Sequence, residues 1–350
     1  SRGVADGAKT ANHATISKPG TPASCIVGTS GSCGLRSREV TASALASPWT
    51  PEPGHGQIIT KLSTYRTDSA FDREGRTVSL GERFSRVDVN PYIEHGLTPR
   101  LAAFANLFVT SLENRPNGGS KQSAIDLADQ ELGLRLRLTP PDQNTAVLTA
   151  QTLVKIPAYS ASTTPQPGSR QVDWEGRLLA GYTTKIGGTE AYFVAAPGYR
   201  YRVGAPSNEW RIDATAGVRP NPKTLIAAES FYVRSIGEIG RAIGVPSNPG
   251  ADQNFARWRL QLSAAYFFQP SMGVTVGYYR DVSGLNAAKG DGVLLFTIAL
   301  GADVDAAALA DMASFPAAYL PVPDASALAA AYADIARSLP CPPTAFWGRR

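Results

Sequence analysis

The chain has 350 residues, a charged fraction of 18 % and a formal net charge of +5. No run of about 18 apolar residues occurs, which excludes a transmembrane helix, and the scattered single lysines and arginines argue against a nucleic-acid surface. The 33 glycines and 26 prolines are typical of many strands joined by turns.

The first 46 residues are rich in Ser, Thr, Gly and Ala, and we expect them to form a disordered leader. Ala44-Leu45-Ala46 resembles the small-residue pattern of a signal-peptidase site. The apolar stretch before it is far too short for a working secretory signal. Residues 1–46 are therefore interpreted as a degenerate signal region.

Strand-like segments follow one another from residue 56 to residue 301. Each is about 11 to 16 residues long and alternates between apolar and polar side chains, as strands with one buried or lipid-facing side do. We predict strands at 56–67, 82–95, 99–112, 124–139, 144–158, 171–186, 189–204, 208–219, 223–236, 253–268, 271–283 and 290–301.

The connections alternate in length. Short ones are predicted at 96–99, 140–143, 186–188, 219–222 and 269–271, and longer ones at 68–81, 113–123, 159–170 and 237–252. The connection 284–289 is intermediate, and 204–207 is short where a long one is due. Barrels of the bacterial outer membrane have short periplasmic turns, longer external loops and an even strand number. The pattern predicts an all-β, up-and-down antiparallel transmembrane β-barrel of about 12 strands over residues 47–301. A soluble β-sandwich is the alternative, although its strands usually have about 5–6 residues.

Aromatic residues recur eight positions apart on the predicted apolar faces. Eight residues of a strand tilted by about 40° span roughly 20 Å of the membrane normal, close to the separation of the two interfacial girdles. The spacing predicts lipid-facing aromatic girdles, although aromatic residues are common in all strands. The pairs are Trp174 and Tyr182, Phe193 and Tyr201, and Trp258 and Tyr266.

Charged residues occupy the opposite faces and are predicted to line the lumen. Arginine exceeds the acidic residues in this set, so the lumen is expected to favour anions. Cross-strand ion pairs that only brace the wall are the alternative. The candidates are Arg86, Asp88, Glu94, Glu131, Arg135, Arg137, Asp173, Glu175, Arg177, Arg200, Arg202, Arg211, Arg257, Arg259 and Arg280.

The segment after Gly301 changes character. Residues 302–350 are rich in Ala and Pro, with helical spacing around 303–313 and 324–338. We expect a partly helical or disordered tail, and a plug inside the barrel is the alternative.

Four segments resemble outer-membrane β-barrel proteins of the XagA-like type, which accompany surface-polysaccharide and adhesion clusters. They are "WTPEPGHGQIIT" (49–60), "AFDREGR" (70–76), "NPYIEHGLTPRLAAFANLFV" (90–109) and "GYYRDVSGLNAAKGDGVLLFTIALG" (277–301). The second and third segments also resemble barrel proteins placed near aromatic-degradation pathways. Those proteins share a hairpin that is represented here by Tyr92, Glu94, Gly96, Leu97, Thr98, Arg100 and Leu101.

The resemblance implies a location in the bacterial outer membrane, contact with membrane lipid and lipopolysaccharide, and insertion by the barrel-assembly machinery. Such barrels usually end on an aromatic residue, whereas the last predicted strand here ends "TIALG" and the chain runs on to Arg350. Both terminal segments are therefore expected to be foreign to the barrel.

Catalytic chemistry is not expected. The three histidines, His13, His55 and His95, offer no convincing Ser-His-acid arrangement, and no phosphate-binding loop or metal motif occurs. We therefore predict no enzyme, no cofactor and no metal. The predicted function is a passive pore or export conduit for small anions or a surface polysaccharide. The alternative is a closed structural or adhesion-associated barrel that acts through its external loops.

Overall fold

The structure, a computed structural model, describes residues 47–204, 207–236, 254–269 and 272–300. The predicted leader (1–46), the predicted tail (302–350) and the whole of the predicted loop 237–252 lie outside these residues. No helix in the described part of the chain is long and apolar enough to cross a membrane. The strands are β1 (Gly56–Phe71), β2 (Thr77–Gly96), β3 (Leu101–Asn106), β4 (Val109–Pro116), β5 (Gln122–Leu127), β6 (Asp129–Arg137), β7 (Ala146–Pro157), β8 (Asp173–Ile186), β9 (Thr189–Arg202), β10 (Glu209–Asn221), β11 (Thr224–Ser235), β12 (Ala256–Gln269), β13 (Met272–Leu285) and β14 (Ala287–Leu300).

The strands form one closed antiparallel sheet. β1 pairs with β2 on one side and with β14 on the other, so neither edge is left open. β3 and β4 both pair with β2, one after the other along its length. β6 pairs with β3, and β5 pairs with β4. Each of these pairs of short strands is one crossing of the wall, or stave. The described strands therefore make twelve staves, which confirms the predicted fold class.

The stretch from Gln130 to Leu138 shows how the sequence sets the two faces. Leu132, Leu134, Leu136 and Leu138 are 44–47 % exposed, whereas Arg135 and Arg137 are 0 % and 5 % exposed. Successive side chains of a strand point to opposite faces of the sheet. The leucines therefore cover the outside of the barrel and the arginines point inward.

The Gln130 side chain forms hydrogen bonds across the break between the short strands. The Gln130 side chain accepts the backbone N–H of Phe108 at 2.8 Å and donates to the carbonyl oxygens of Phe108 and Ala128 at 2.9 Å each. These bonds replace rungs of the ladder where β3 gives way to β4 and β5 to β6. The wall stays hydrogen-bonded across the irregularity, as a membrane barrel requires.

Short turns identify the periplasmic end. The β8–β9 turn has only two residues, Gly187 and Gly188, with φ angles of 57° and 84°. Two-residue hairpin loops of this kind need positive φ, which glycine adopts without strain. β10 and β11 are joined by an equally short turn at the same end.

Two predicted external loops are wrong in extent. The predicted loops 68–81 and 113–123 shrink to residues 72–76 and 117–121, because β1, β2, β4 and β5 continue outward. The Asp72 carboxylate tightens the first turn by accepting the backbone N–H groups of Glu74 and Arg76. The long external loop of residues 158–172 matches its prediction closely.

The outer surface locates the barrel. Large apolar side chains on the outward faces remain exposed, among them Trp174 (56 %) and Leu262 (62 %). The ring of staves is closed and its exterior is apolar, which is what a bilayer demands of strands. The protein is therefore an outer-membrane barrel, and the predicted localisation is confirmed.

Candidate functional site

The barrel interior holds most of the charged residues singled out from the sequence. Each lies on the less exposed face of its strand. Those on the inner face are Arg86, Asp88, Glu94, Glu131, Arg135, Arg137, Asp173, Glu175, Arg177, Arg200, Arg202, Arg211, Arg257 and Arg259.

Arg280 was also predicted to line the lumen, and this prediction is wrong. Its neighbours on β13, Tyr279 and Asp281, are 5 % and 0 % exposed, whereas Arg280 is exposed on the outer surface beside Tyr278. The strand alternates regularly here, so an inward Tyr279 forces Arg280 outward. Asp281 is the inner-face residue that the sequence interpretation missed.

A buried ion-pair network covers the wall formed by β6, β8, β9 and β10. The Arg200 guanidinium donates from Nε to Glu175 at 2.6 Å and from Nη2 to Glu131 at 3.1 Å. Arg177 bonds both Glu175 and Asp213. All five side chains are at most 14 % exposed, so this part of the wall presents a neutralised surface.

Arg135 is enclosed on the same side of the barrel. Its Nη1 lies 3.0 Å from the Glu94 carboxylate, and its Nε donates to Gln151 at 2.8 Å. The guanidinium carbon also lies 5.1 Å and 5.8 Å from the ring centroids of Phe104 and Tyr92, within the range of cation–π contacts. Arg135 therefore braces the wall. Arg137 instead ties the periplasmic turn after β6 by donating to the Gln143 carbonyl oxygen at 2.6 Å.

Three further inward-facing arginines have more accessible side chains, and one of them, Arg211, adjoins the ion-pair network because its Nε lies 3.7 Å from the Glu175 carboxylate. The side chains of Arg211, Arg257 and Arg259 are 26 %, 35 % and 21 % exposed. The carboxylates of Asp281, Glu209 and Glu175, which accompany them, are 0 % exposed. We call Arg211, Arg257 and Arg259 the basic wall: part of each side chain is accessible, whereas the carboxylates nearest to them are buried.

Several acidic residues of the interior were missed. Glu209, Glu229 and Asp281 are at most 3 % exposed and face inward, so the surplus of arginine is smaller than the sequence count indicated. Glu209 accepts from Arg202 Nη2 at 2.7 Å, and Asp281 accepts from Arg259 Nε at 2.8 Å. Strand alternation is the signal that could have found Glu209, because it shares a face with Arg211.

An apolar cluster lies inside the barrel. Leu179, Leu225 and Leu153 are at most 3 % exposed and belong to one cluster with inward aromatic rings. Simple alternation predicted a polar inner face along the whole barrel. The structure instead places apolar and charged side chains on the same inner faces: Leu153 is the strand partner of Glu175, and the Arg135–Glu94 pair lies two residues from the periplasmic ends of its strands.

The segment before β1 crosses the periplasmic end. Residues 47–55, called here the strap, enter the barrel, where the Pro48 carbonyl oxygen accepts the hydroxyl of Thr149 at 2.5 Å. The Trp49 ring packs against the apolar cluster, and its indole N–H donates to the Asn144 carbonyl oxygen at 3.2 Å. The strap therefore occupies part of the lumen cross-section near β7 and β8.

The external loop of residues 158–172 folds over the opposite opening. Arg86 donates to the Pro167 carbonyl oxygen at 2.9 Å, and the Ser169 hydroxyl bonds Lys155. Within the loop, the Tyr159 hydroxyl accepts the backbone N–H of Arg170 and so joins its two ends. Burial raises the pKa of Tyr159 to about 12, so its phenol stays protonated at neutral pH.

Two inward tyrosines lie against glycines of the neighbouring strand. Tyr192 on β9 faces Gly217 on β10, and Tyr279 on β13 faces Gly292 on β14. A Cβ atom at either glycine would collide with the facing ring. The glycines therefore let both rings lie flat along the wall, which leaves more of the lumen open than upright rings would.

The six girdle candidates lie on the outer surface. Trp174, Tyr182, Phe193, Tyr201, Trp258 and Tyr266 are all 43–56 % exposed. Among the described residues, no group of three or more His, Cys, Asp and Glu side chains is arranged to hold a metal ion.

A known protein family matches most of the chain. Residues 40–297 match the family model described as "Putative MetA-pathway of phenol degradation". The chain belongs to this family. Among curated protein sequences, none matches the chain. The predicted relation to barrels placed near aromatic-degradation pathways is therefore supported, whereas the resemblance to the XagA-like type stays a prediction.

Solved structures of similar fold are outer-membrane channels and related barrels. The COG4313 outer membrane channel from Pseudomonas putida F1 superposes with a TM-score of 0.55 at 15 % identity, covering 75 % of this chain and 100 % of that channel. The KdgM porin in complex with disordered oligogalacturonate gives 0.40 at 6 % identity, covering 69 % and 98 %. The translocator domain of the autotransporter NalP from Neisseria meningitidis gives 0.40 at 10 % identity, covering 72 % and 90 %.

Proposed function

We propose that this member of the phenol-degradation family is a passive outer-membrane channel for small anionic solutes. The observation that carries the proposal is the basic wall, in which the side chains of Arg211, Arg257 and Arg259 are partly accessible while the carboxylates nearest to them are buried. A solute in the lumen would meet the arginine side chains first. Guanidinium groups bind carboxylate and phosphate in a two-pronged way, and a low-dielectric tube focuses their field.

Small solutes suit the interior better than a polysaccharide strand. The strap and the external loop 158–172 reach across the interior from opposite ends. An extended polymer would need both segments displaced at once, whereas a small anion needs only a gap beside them. Export of a surface polysaccharide, as the XagA-like resemblance implies, is therefore the weaker form of the proposal.

A closed structural barrel is the second candidate. The fully buried Arg135–Glu94 pair and the packing of Trp49 against the apolar cluster support it, since both fill the lumen. Such a barrel would act through its external loops on adhesion or surface-polysaccharide assembly. Its distinguishing property is the absence of conductance in a correctly folded protein.

Reversal potentials in planar bilayers test the proposal. The full chain should give discrete conductance steps, and a KCl gradient should show preference for chloride. Arg257→Gln should shift the reversal potential toward cation preference and leave the fold intact. The fold should stay intact because Asp281 still binds Arg259, whose Nε lies 2.8 Å from its carboxylate, whereas the Nε of Arg257 lies 3.8 Å from the same carboxylate.

Arg234→Gln is the matched control, because Arg234 lies exposed on the outer face of β11. Its reversal potential should equal that of the native channel. A folded barrel without conductance would support the structural candidate instead. Conductance steps without chloride preference would leave a channel but refute its proposed selectivity.

A further inference from the structure

We propose that the outer surface of β13, β14 and β1 binds a phosphate group of lipopolysaccharide through Arg66 and Arg280. The two arginines are exposed and flank Asp291, which is the cross-strand partner of both. We call these three residues the arginine row. The inference is independent of conduction and rests on the position of this row in the barrel wall.

The level of the arginine row follows from the strand register. Two residues toward the periplasm, the same staves carry Tyr278, Val293 and Thr64, and Tyr278 and Val293 are each 49 % exposed. The level below that is apolar throughout these three strands and β2, with Val276, Leu295, Leu62 and Val89 all 40–53 % exposed.

The row therefore lies in the uppermost part of the apolar band, because Leu260 beside Arg280 and Val282 two residues further out are each 41 % exposed. Arginine on the lipid-facing side is costly at the midplane of a bilayer and is tolerated near its interfaces. The long apolar stems of Arg66 and Arg280 can cover the uppermost lipid contacts while the guanidinium groups reach the headgroup level.

The same geometry identifies the leaflet. Arg66 is five residues before the end of β1 at Phe71, and β1 turns into β2 through the short loop 72–76 at the external end. The arginine row therefore faces the outer leaflet, where lipopolysaccharide is the lipid. Neighbouring strands are about 4.8 Å apart, so the two arginines are separated by roughly 10 Å of wall and both can reach one phosphorylated headgroup.

The neighbouring staves extend the positive surface. One step along the wall, Arg83 on β2 is the cross-strand partner of Arg115 on β4, and both are exposed. Arg115 is already engaged by Glu113, which also binds Lys121 at 2.5 Å. The acidic residue within the arginine row, Asp291, accepts the hydroxyl of Tyr278 at 3.0 Å. A phosphate at the row would thus be bound mainly by Arg66 and Arg280.

Binding of purified lipid A to the full folded chain tests the proposal. Native mass spectrometry in detergent with a metal chelator would compare lipid A carrying both phosphates with the dephosphorylated form. The native protein should bind the phosphorylated form more tightly. The double variant Arg66→Gln/Arg280→Gln should lose roughly 10- to 30-fold in affinity, since each cation near a charged membrane surface contributes about 1 kcal/mol.

Two further variants make the outcome specific. Arg234→Gln removes an exposed outer-surface arginine of β11, whose strand partners are Trp210 and Ala256, and should leave the affinity unchanged. Asp291→Asn should raise the affinity, because it removes the carboxylate that repels the phosphate. If the arginine row had only a structural role, Asp291→Asn would not raise the affinity for phosphorylated lipid A.

The proposal would be overturned by equal binding of dephosphorylated lipid A, or by native affinity in the double variant. Equal affinity for phosphatidylglycerol vesicles would also overturn it, because the row would then recognise any lipid phosphate. Heat-dependent gel mobility confirms that each variant is folded before the affinities are compared.

Discussion

Arg135 on β6 and Glu94 on β2 form an ion pair with Nη1 3.0 Å from Oε1, and neither side chain is exposed. β3 lies between their strands and pairs with both. The fully buried Ala102 of β3 is the strand partner of both Arg135 and Gly96, so a small side chain lies beneath the bridge. The pair therefore links two staves that share no backbone hydrogen bonds, and it does so over the short strand β3.

Removing one partner of this pair should destabilise the barrel. Arg135→Met leaves the Glu94 carboxylate buried and uncompensated, and such a loss typically costs about 3–5 kcal/mol. Urea unfolding of the protein refolded in liposomes would measure it. The double variant Glu94→Leu/Arg135→Met should recover most of the lost free energy of unfolding, because an apolar replacement removes both charges. Native stability in Arg135→Met alone would show that the pair is not a brace.

The outward leucines of β6 should respond to charge according to depth. Leu136 lies level with Leu178, midway between the girdle residues Trp174 and Tyr182 of β8, whereas Leu132 lies level with Trp174. Leu136→Arg should cost about 2–4 kcal/mol and Leu132→Arg about 0–1 kcal/mol. The same liposome assay measures both. Equal costs at the two positions would contradict the assigned depth of the strand.

The faces of the staves could be predicted from the sequence because strand geometry has a period of two. Leu132, Leu134 and Arg135 follow this rule without exception. Arg280 does not contradict the rule but shows the limit of reading charge as an inward signal. It lies at the external side of the apolar band, where arginine on the outer surface costs little, so its charge alone did not indicate which face it occupies.

The partners inside the barrel could not be predicted in the same way. Arg200 on β9 reaches Glu131 on β6, 69 residues away and with the two staves β7 and β8 between them. Such a contact depends on wall curvature and side-chain length, which local alternation does not encode. The strap could not be predicted either, because residues 47–55 lack a strand pattern. Trp49 makes its apolar contacts only in the closed barrel.

Gly217 should control the width of the lumen at the level of Tyr192. Gly217→Val would place a Cβ atom against the Tyr192 ring and push the ring inward, at a stability cost of about 1–3 kcal/mol for overpacking. Single-channel conductance should fall. Gly176→Val is the matched control, because a Cβ at this outward position of β8 meets nothing within 4 Å. An unchanged conductance in folded Gly217→Val would mean that the solute path avoids this wall.

The strap should limit conductance through Trp49. Its ring packs against the apolar cluster, and its indole N–H donates to the Asn144 carbonyl oxygen. Trp49→Ala removes both interactions, so the strap should leave the lumen more often and conductance steps should become larger or more frequent. Trp174→Ala, on the outer surface of β8, is the control and should conduct as the native protein does. Trp49→Ala leaves the basic wall unchanged, so chloride preference should persist while conductance rises. A rise in conductance with loss of that preference would place the selective step at the strap and not at the basic wall.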